Sequence, residues 1–123
     1  MYEITILEEV LYTKVIVKGE RTPLQKTDAA MAWTEVANYC QQNKTKKLLI
    51  ISKLRGSISQ ISSFDISNSL EQFGLRKDIK IAFVDKQKQS FEANSFSTKF
   101  ANNKGFDVKI FMNNNNAVSW LIQ

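Results

Sequence analysis

The side chains best placed to hold a ligand follow apolar runs. Ser52, Lys53 and Arg55 come after Lys47-Leu48-Leu49-Ile50-Ile51, Asp85 comes after Ile81-Ala82-Phe83-Val84, and Met112 comes after Val108-Lys109-Ile110-Phe111. Short apolar runs of this kind read as buried strands, and in open α/β sheets ligands bind beyond the carboxyl ends of the strands. A second candidate is the pair Ser62 and Ser63, ahead of Phe64 and Ile66. A phosphate on either would meet the free N–H groups of a helix start and add about −1.5 to −2 charge, a sound basis for a switch. The same hydroxyls also suit the bland role of helix N-cap.

Other chemistry is excluded by composition. The chain has no histidine, which removes Ser-His-Asp and Cys-His catalysis, haem ligation by histidine and every His-containing zinc site. Cys40 is the only cysteine, so no internal disulfide forms. With 4 glycines there is no Gly-x-Gly-x-x-Gly, no Walker-type loop and no Gly-x-Ser-x-Gly elbow. Asp28, Asp65, Asp78, Asp85 and Asp107 are dispersed, without the spacing of a calcium loop or a carboxylate pair. No metal site and no cofactor are expected, and a non-enzymatic binding or regulatory module is favoured over an enzyme built from Lys, Asp and Ser groups at the strand ends.

The 123 residues, 43% hydrophobic and 24% charged, make one soluble domain, residues 1–123, large enough to fold without staples. The net charge of +5 is carried by cations spread along the chain, at Lys44, Lys46 and Lys47, then Arg76, Lys77 and Lys80, then Lys86 and Lys88. That spread argues against a nucleic-acid surface. The N-terminal stretch has neither a basic region nor a long apolar core, and no apolar run is long enough to cross a bilayer. The expectation is a cytoplasmic protein with Cys40 reduced.

The elements that would position these residues can be read in order. Tyr2 to Leu7 and Leu11 to Lys18 alternate with period two, and their short connection makes an antiparallel pair. Thr22-Pro23 suits a helix start, followed by the apolar stripe Ala29, Trp33, Val36, Ala37 and Cys40. Lys47 to Ser52 is a strand. Ile66, Leu70 and Phe73 mark a helix that Gly74 stops. Lys80 to Val84 is a strand, Phe96 and Phe100 mark a helix ending near Asn103 to Gly105, and Asp107 to Phe111 is the last strand. Asn113-Asn114-Asn115-Asn116 supplies the turn and N-cap of a final helix with Ala117, Trp120 and Leu121. The fold class is therefore α/β: a mixed, mainly parallel sheet with flanking helices in the order β-β-α-β-α-β-α-β-α. The first strand reads as a sheet edge that a second copy could extend into a homodimer.

The segments Ile79-Lys80-Ile81-Ala82-Phe83-Val84, Gly105-Phe106-Asp107-Val108-Lys109-Ile110-Phe111 and Ala117-Val118-Ser119-Trp120-Leu121, with the helix through Phe96 and Phe100 between them, resemble the SpoIIAA-like group of small bacterial proteins. The resemblance implies the fold of STAS domains and of the related CRAL-TRIO-type lipid-binding domains. STAS-type anti-sigma-factor antagonists carry Asp-Ser-Ser-Gly at the start of the helix after the central strand, with one serine phosphorylated by a partner kinase. Here Ile61-Ser62-Ser63-Phe64 stands in that place, keeping the serines without the aspartate and glycine. Two functions follow as expectations: a module binding a small apolar, lipid-like ligand or a protein partner, and a partner switch phosphorylated at Ser62 or Ser63. The eight phenylalanines and two tryptophans are enough to line an apolar pocket as well as to fill a core.

Overall fold

A computed structural model describes every residue from Met1 to Gln123. Its elements are β1 (Glu3–Glu8), β2 (Thr13–Glu20), α1 (Gln25–Asn43), β3 (Lys47–Arg55), α2 (Gln60–Asn68), β4 (Lys80–Asp85), α3 (Lys88–Asn103), β5 (Asp107–Phe111) and α4 (Asn114–Leu121). The sheet order is β1-β2-β3-β4-β5. β1 pairs antiparallel with β2, with Ile4 opposite Val17 and Ile6 opposite Val15, and every later pair is parallel. β1 lies at a sheet edge, where the sequence puts it.

Strand alternation divides the sheet into two faces. Val15, Val17, Leu48, Ile50, Ile81 and Val108 pack with Val36, Ala37 and Cys40 of α1, with Leu70 and Leu75, and with Ala101 of α3. On the opposite face Leu49, Ile51, Ala82 and Val84 pack with Ala117 and Leu121 of α4, and the Trp120 ring lies tilted by 48° beside Phe111, centroids 5.8 Å apart. Three helices thus lie on one face and one on the other. The single-helix face also gathers cations that look scattered in the sequence, because alternation sends Lys14, Lys18, Lys47, Lys53, Arg55, Lys80 and Lys109 to that side. Lys80 donates to the Trp120 carbonyl at 2.7 Å, while Lys18 and Lys53 are direct cross-strand neighbours.

Several boundaries differ from the sequence reading. Thr22-Pro23 forms a turn, the Thr22 hydroxyl accepting from Leu24 N at 3.1 Å, and α1 begins at Gln25. β3 continues through Arg55 because Lys53, Leu54 and Arg55 pair with Lys18, Gly19 and Glu20, a pairing no local pattern announces. α2 ends at Asn68, and Leu70 and Phe73 reach the core from a turn that closes at Gly74, φ +97°. The final cap is as expected: Asn113 Oδ1 accepts from Asn116 N at 2.8 Å.

α1 stops at Lys44, which adopts φ 53° and ψ 41° so that Thr45 N can reach the Cys40 carbonyl at 3.0 Å. Lys44 is the sole non-glycine residue with positive φ. A left-handed conformation costs an L side chain roughly 1 kcal/mol that glycine does not incur. Lys44→Gly is expected to raise folding stability by about 1 kcal/mol, read from the denaturation midpoint at unchanged m value.

Candidate functional site

The connection from β3 to α2, residues 56–59, is held from two sides. Gly56 turns with φ +94°, and its carbonyl accepts from Arg21 Nη1 at 2.8 Å. Arg21 follows the end of β2, where its own N–H donates to the Arg55 carbonyl at 2.8 Å. From α3, Gln89 brackets Ile58, its Oε1 accepting from Ile58 N at 3.0 Å and its Nε2 donating to Ile58 O at 2.6 Å. Ser59 then caps α2, its hydroxyl accepting from Ser62 N at 3.0 Å. No acidic residue lies in the first turn of α2, so the positive end of that helix, capped by the neutral Ser59 hydroxyl, faces no carboxylate there.

Beneath this connection lies an ion pair. The side chains of Arg21 and Asp85 are 4% and 3% exposed, with Nη2 and Oδ2 3.5 Å apart. Arg21 Nη1 also donates to Ser90 Oγ at 2.8 Å, and Asp85 Oδ1 accepts from Gln87 N at 3.0 Å. Asp85 Oδ2 receives no hydrogen bond. Burial pushes the Asp85 carboxyl above its ordinary value, opposed by the Gln87 N–H and the Arg21 charge. The pair is thus a partly compensated buried charge that fixes where the β3–α2 connection sits.

α2 turns different serines in different directions. Ser62 is half-buried in its first turn, whereas Ser63 is 2% exposed. The Ser63 hydroxyl donates to Asn94 Oδ1 at 2.5 Å and lies 2.6 Å from Ser97 Oγ, both on α3. The N-cap that the sequence suggests for Ser62 and Ser63 belongs to Ser59, because α2 starts earlier than its apolar residues do. Around the helix start, Ile61 is 75% exposed and Leu24 is also exposed. Lys26 of α1 joins Asp65 of α2 at 3.0 Å, bringing the beginnings of these helices together.

An apolar cavity of about 110 Å³ lies between the sheet and helices α1, α2 and α3. Small side chains on the inward helix faces explain it: Ala29 and Ala32 on α1, Ser63 and Ser67 on α2, Ser97 and Ala101 on α3. The sheet side is Val17, Ile50, Leu54, Phe83 and Val108, with Ser52 among them.

Of the residues singled out in the sequence, the structure brings Ser52 and Asp85 together as register partners on β3 and β4. Ser52 lines the cavity. Lys53 and Arg55 lie within β3 on the opposite face, where Arg55 pairs with Glu20 at 3.1 Å, so they do not stand past the strand end beside Ser52. Met112 follows β5 and is exposed, outside the cavity lining. Arg21, Gln89, Asn94 and Ser97 escape the sequence reading. One signal was there for α3: Ser90, Ala93, Ser97 and Ala101, its buried face, recur at helical spacing, whereas Phe96 is 45% exposed. Phe96 and Phe64 instead pack edge-on against Phe100, at 5.3 and 4.7 Å. Cys40 is buried and its thiol is pushed up by burial, as suits a packing residue.

No helix is long and apolar enough to cross a membrane. No protein-family profile matches the chain, and no curated protein matches it by sequence. Among solved structures, the chain is similar to an anti-sigma factor antagonist from Mycobacterium paratuberculosis, with a TM-score of 0.62 and 12% identity, over 100% of this chain and 96% of that one. The likeness spans the hairpin, the parallel strands and the helices on both faces, and the chain has the STAS/SpoIIAA-type fold of anti-sigma-factor antagonists.

Proposed function

We propose that this chain is a non-enzymatic, cytoplasmic regulatory module that holds a protein partner through the surface at the start of α2. The observation that carries the reading is the end-to-end likeness to an anti-sigma factor antagonist, a protein whose name states that it acts on another protein. The local geometry supports it. Exposed Ile61 and Leu24 supply apolar contact, and the pinned residues 56–59 present the positive end of α2 in a fixed position. Ser62 and Ser63 remain the candidate phosphorylation sites, and their settings differ. A phosphate on Ser62 would sit in the first turn, favoured by the helix dipole and repelling an acidic partner. A phosphate on Ser63 would require α2 to lift away from Asn94 and Ser97.

The test is phosphosite mapping by mass spectrometry on chain purified from the cells that make it. Phosphate at Ser62 or Ser63 in a fraction of molecules is the expected result. A chain that carries none under any growth condition, and whose partner binding is the same in Ser62→Asp as in wild type, would overturn the switch.

A further inference from the structure

We propose that the cavity between the sheet and α1, α2 and α3 is a binding site for a small neutral molecule with an apolar body and a single hydrogen-bonding group. This goes beyond the partner-holding reading and stands without it, since the cavity lies inside the fold.

Size and shape set the class of ligand. At about 110 Å³ the cavity approaches the roughly 150 Å³ of a dry engineered cavity that accepts benzene, so it admits one aromatic ring or a short branched chain. Fourteen of its 21 lining residues are hydrophobic, and the one charged residue among them, Arg21, is already paired with Asp85, which favours an uncharged guest with few hydroxyls.

Ser52 provides the polar anchor. Its side chain faces the cavity at 9% exposure, and its hydroxyl makes only a long contact, accepting from Leu54 N at 3.5 Å. Its proton therefore has no acceptor, in a place where a buried hydroxyl ordinarily finds one. Ser63 and Ser97, by contrast, are satisfied by each other and by Asn94. An uncharged ligand oxygen beside Ser52 would accept its proton, with the apolar body of the ligand against Ala29, Ala32 and Ala101.

The lining also accounts for access. Ala32 and Trp33 of α1 and Ile66 and Ser67 of α2 are half-buried, so the cavity reaches towards the surface between these helices. No ion pair other than Lys26–Asp65 ties the two helices at that opening.

Phenol is the probe, with benzene as the partner lacking a hydroxyl. Titrations of the folded chain followed by amide and methyl NMR are expected to give saturable shifts centred on Ala29, Ile66 and Ala101 for both. Phenol should bind more tightly, and Ser52→Ala should remove most of that advantage, about 5-fold, while leaving benzene unchanged. Ala32→Leu, which fills the cavity, should abolish binding of either probe and raise the thermal midpoint; Ala29→Val serves the same purpose if Ala32→Leu fails to fold. Absence of saturable binding to well-folded chain would overturn the proposal. So would probe binding that survives the filling substitutions, or a phenol preference indifferent to Ser52→Ala.

Discussion

Arg21→Ala is expected to destabilise the fold by about 3 kcal/mol. The substitution strips the carbonyl of Gly56 and the hydroxyl of Ser90 of their donor and leaves Asp85, 3% exposed, without its cation. Breaking one side of a buried pair is costly because the partner charge stays behind. Asp85→Ala should cost less, since Arg21 keeps Gly56 and Ser90, and the double variant should lose clearly less than the sum of the singles. Urea denaturation of the singles and the double checks this, and fully additive losses would show that the pair is not coupled. The pH dependence has a definite sign. Because burial raises the folded-state value of Asp85, its contribution to stability is complete below the ordinary carboxylate value of about 3.9 and is lost as pH rises through the raised value. The difference in stability between wild type and Asp85→Asn should therefore shift in favour of wild type as the pH is lowered from neutral.

The second large effect separates the adjacent serines. Ser63→Asp places a carboxylate at a site 2% exposed, against the Asn94 Oδ1 that the Ser63 hydroxyl donates to, and should cost about 3 kcal/mol or more. Ser62→Asp puts the same charge in the first turn of α2 beside unpaired N–H groups and should stabilise the chain by roughly 0.3–1 kcal/mol. Thermal unfolding of the two variants distinguishes them directly, and equal midpoints would contradict the placement of α2 against α3. The contrast also decides how a partner-binding defect in either variant is read. Loss of binding in a stable Ser62→Asp acts through surface charge, whereas loss in Ser63→Asp acts through release of α2.

Much of the architecture can be read along the chain, since it rests on local patterns. Leu48 to Ile51 and Ile81 to Val84 are apolar runs of strand length, the hairpin alternates cleanly, and Asn113 caps as asparagine should. What escapes reading depends on partners far away in sequence. β3 extends to Arg55 because β2 continues beside it. α2 begins at Gln60 under a Ser59 cap, although the first apolar period starts later. Arg21 resembles any polar residue after a strand, and only the folded chain brings it to Gly56, Ser90 and Asp85, 35 to 69 positions along. The candidate site divides in the same way. Ser52 and Asp85 meet because they are register partners on adjacent parallel strands, whereas Lys53 and Arg55 are turned away by the alternation of a strand longer than its apolar run. The cavity was written as small residues at helical spacing in α1 and α3, a pattern that the more conspicuous phenylalanines conceal.

The most direct test of the partner-holding surface is site-specific crosslinking in the cells that make this protein, with a photoreactive phenylalanine at Ile61 and, as a control, at Lys99 on α3. One discrete protein is expected to be captured at Ile61 and not at Lys99, with capture lost when Ser62→Asp is added. A discrete capture at Lys99 instead, or one at Ile61 that Ser62→Asp leaves intact, would contradict the partner-holding surface.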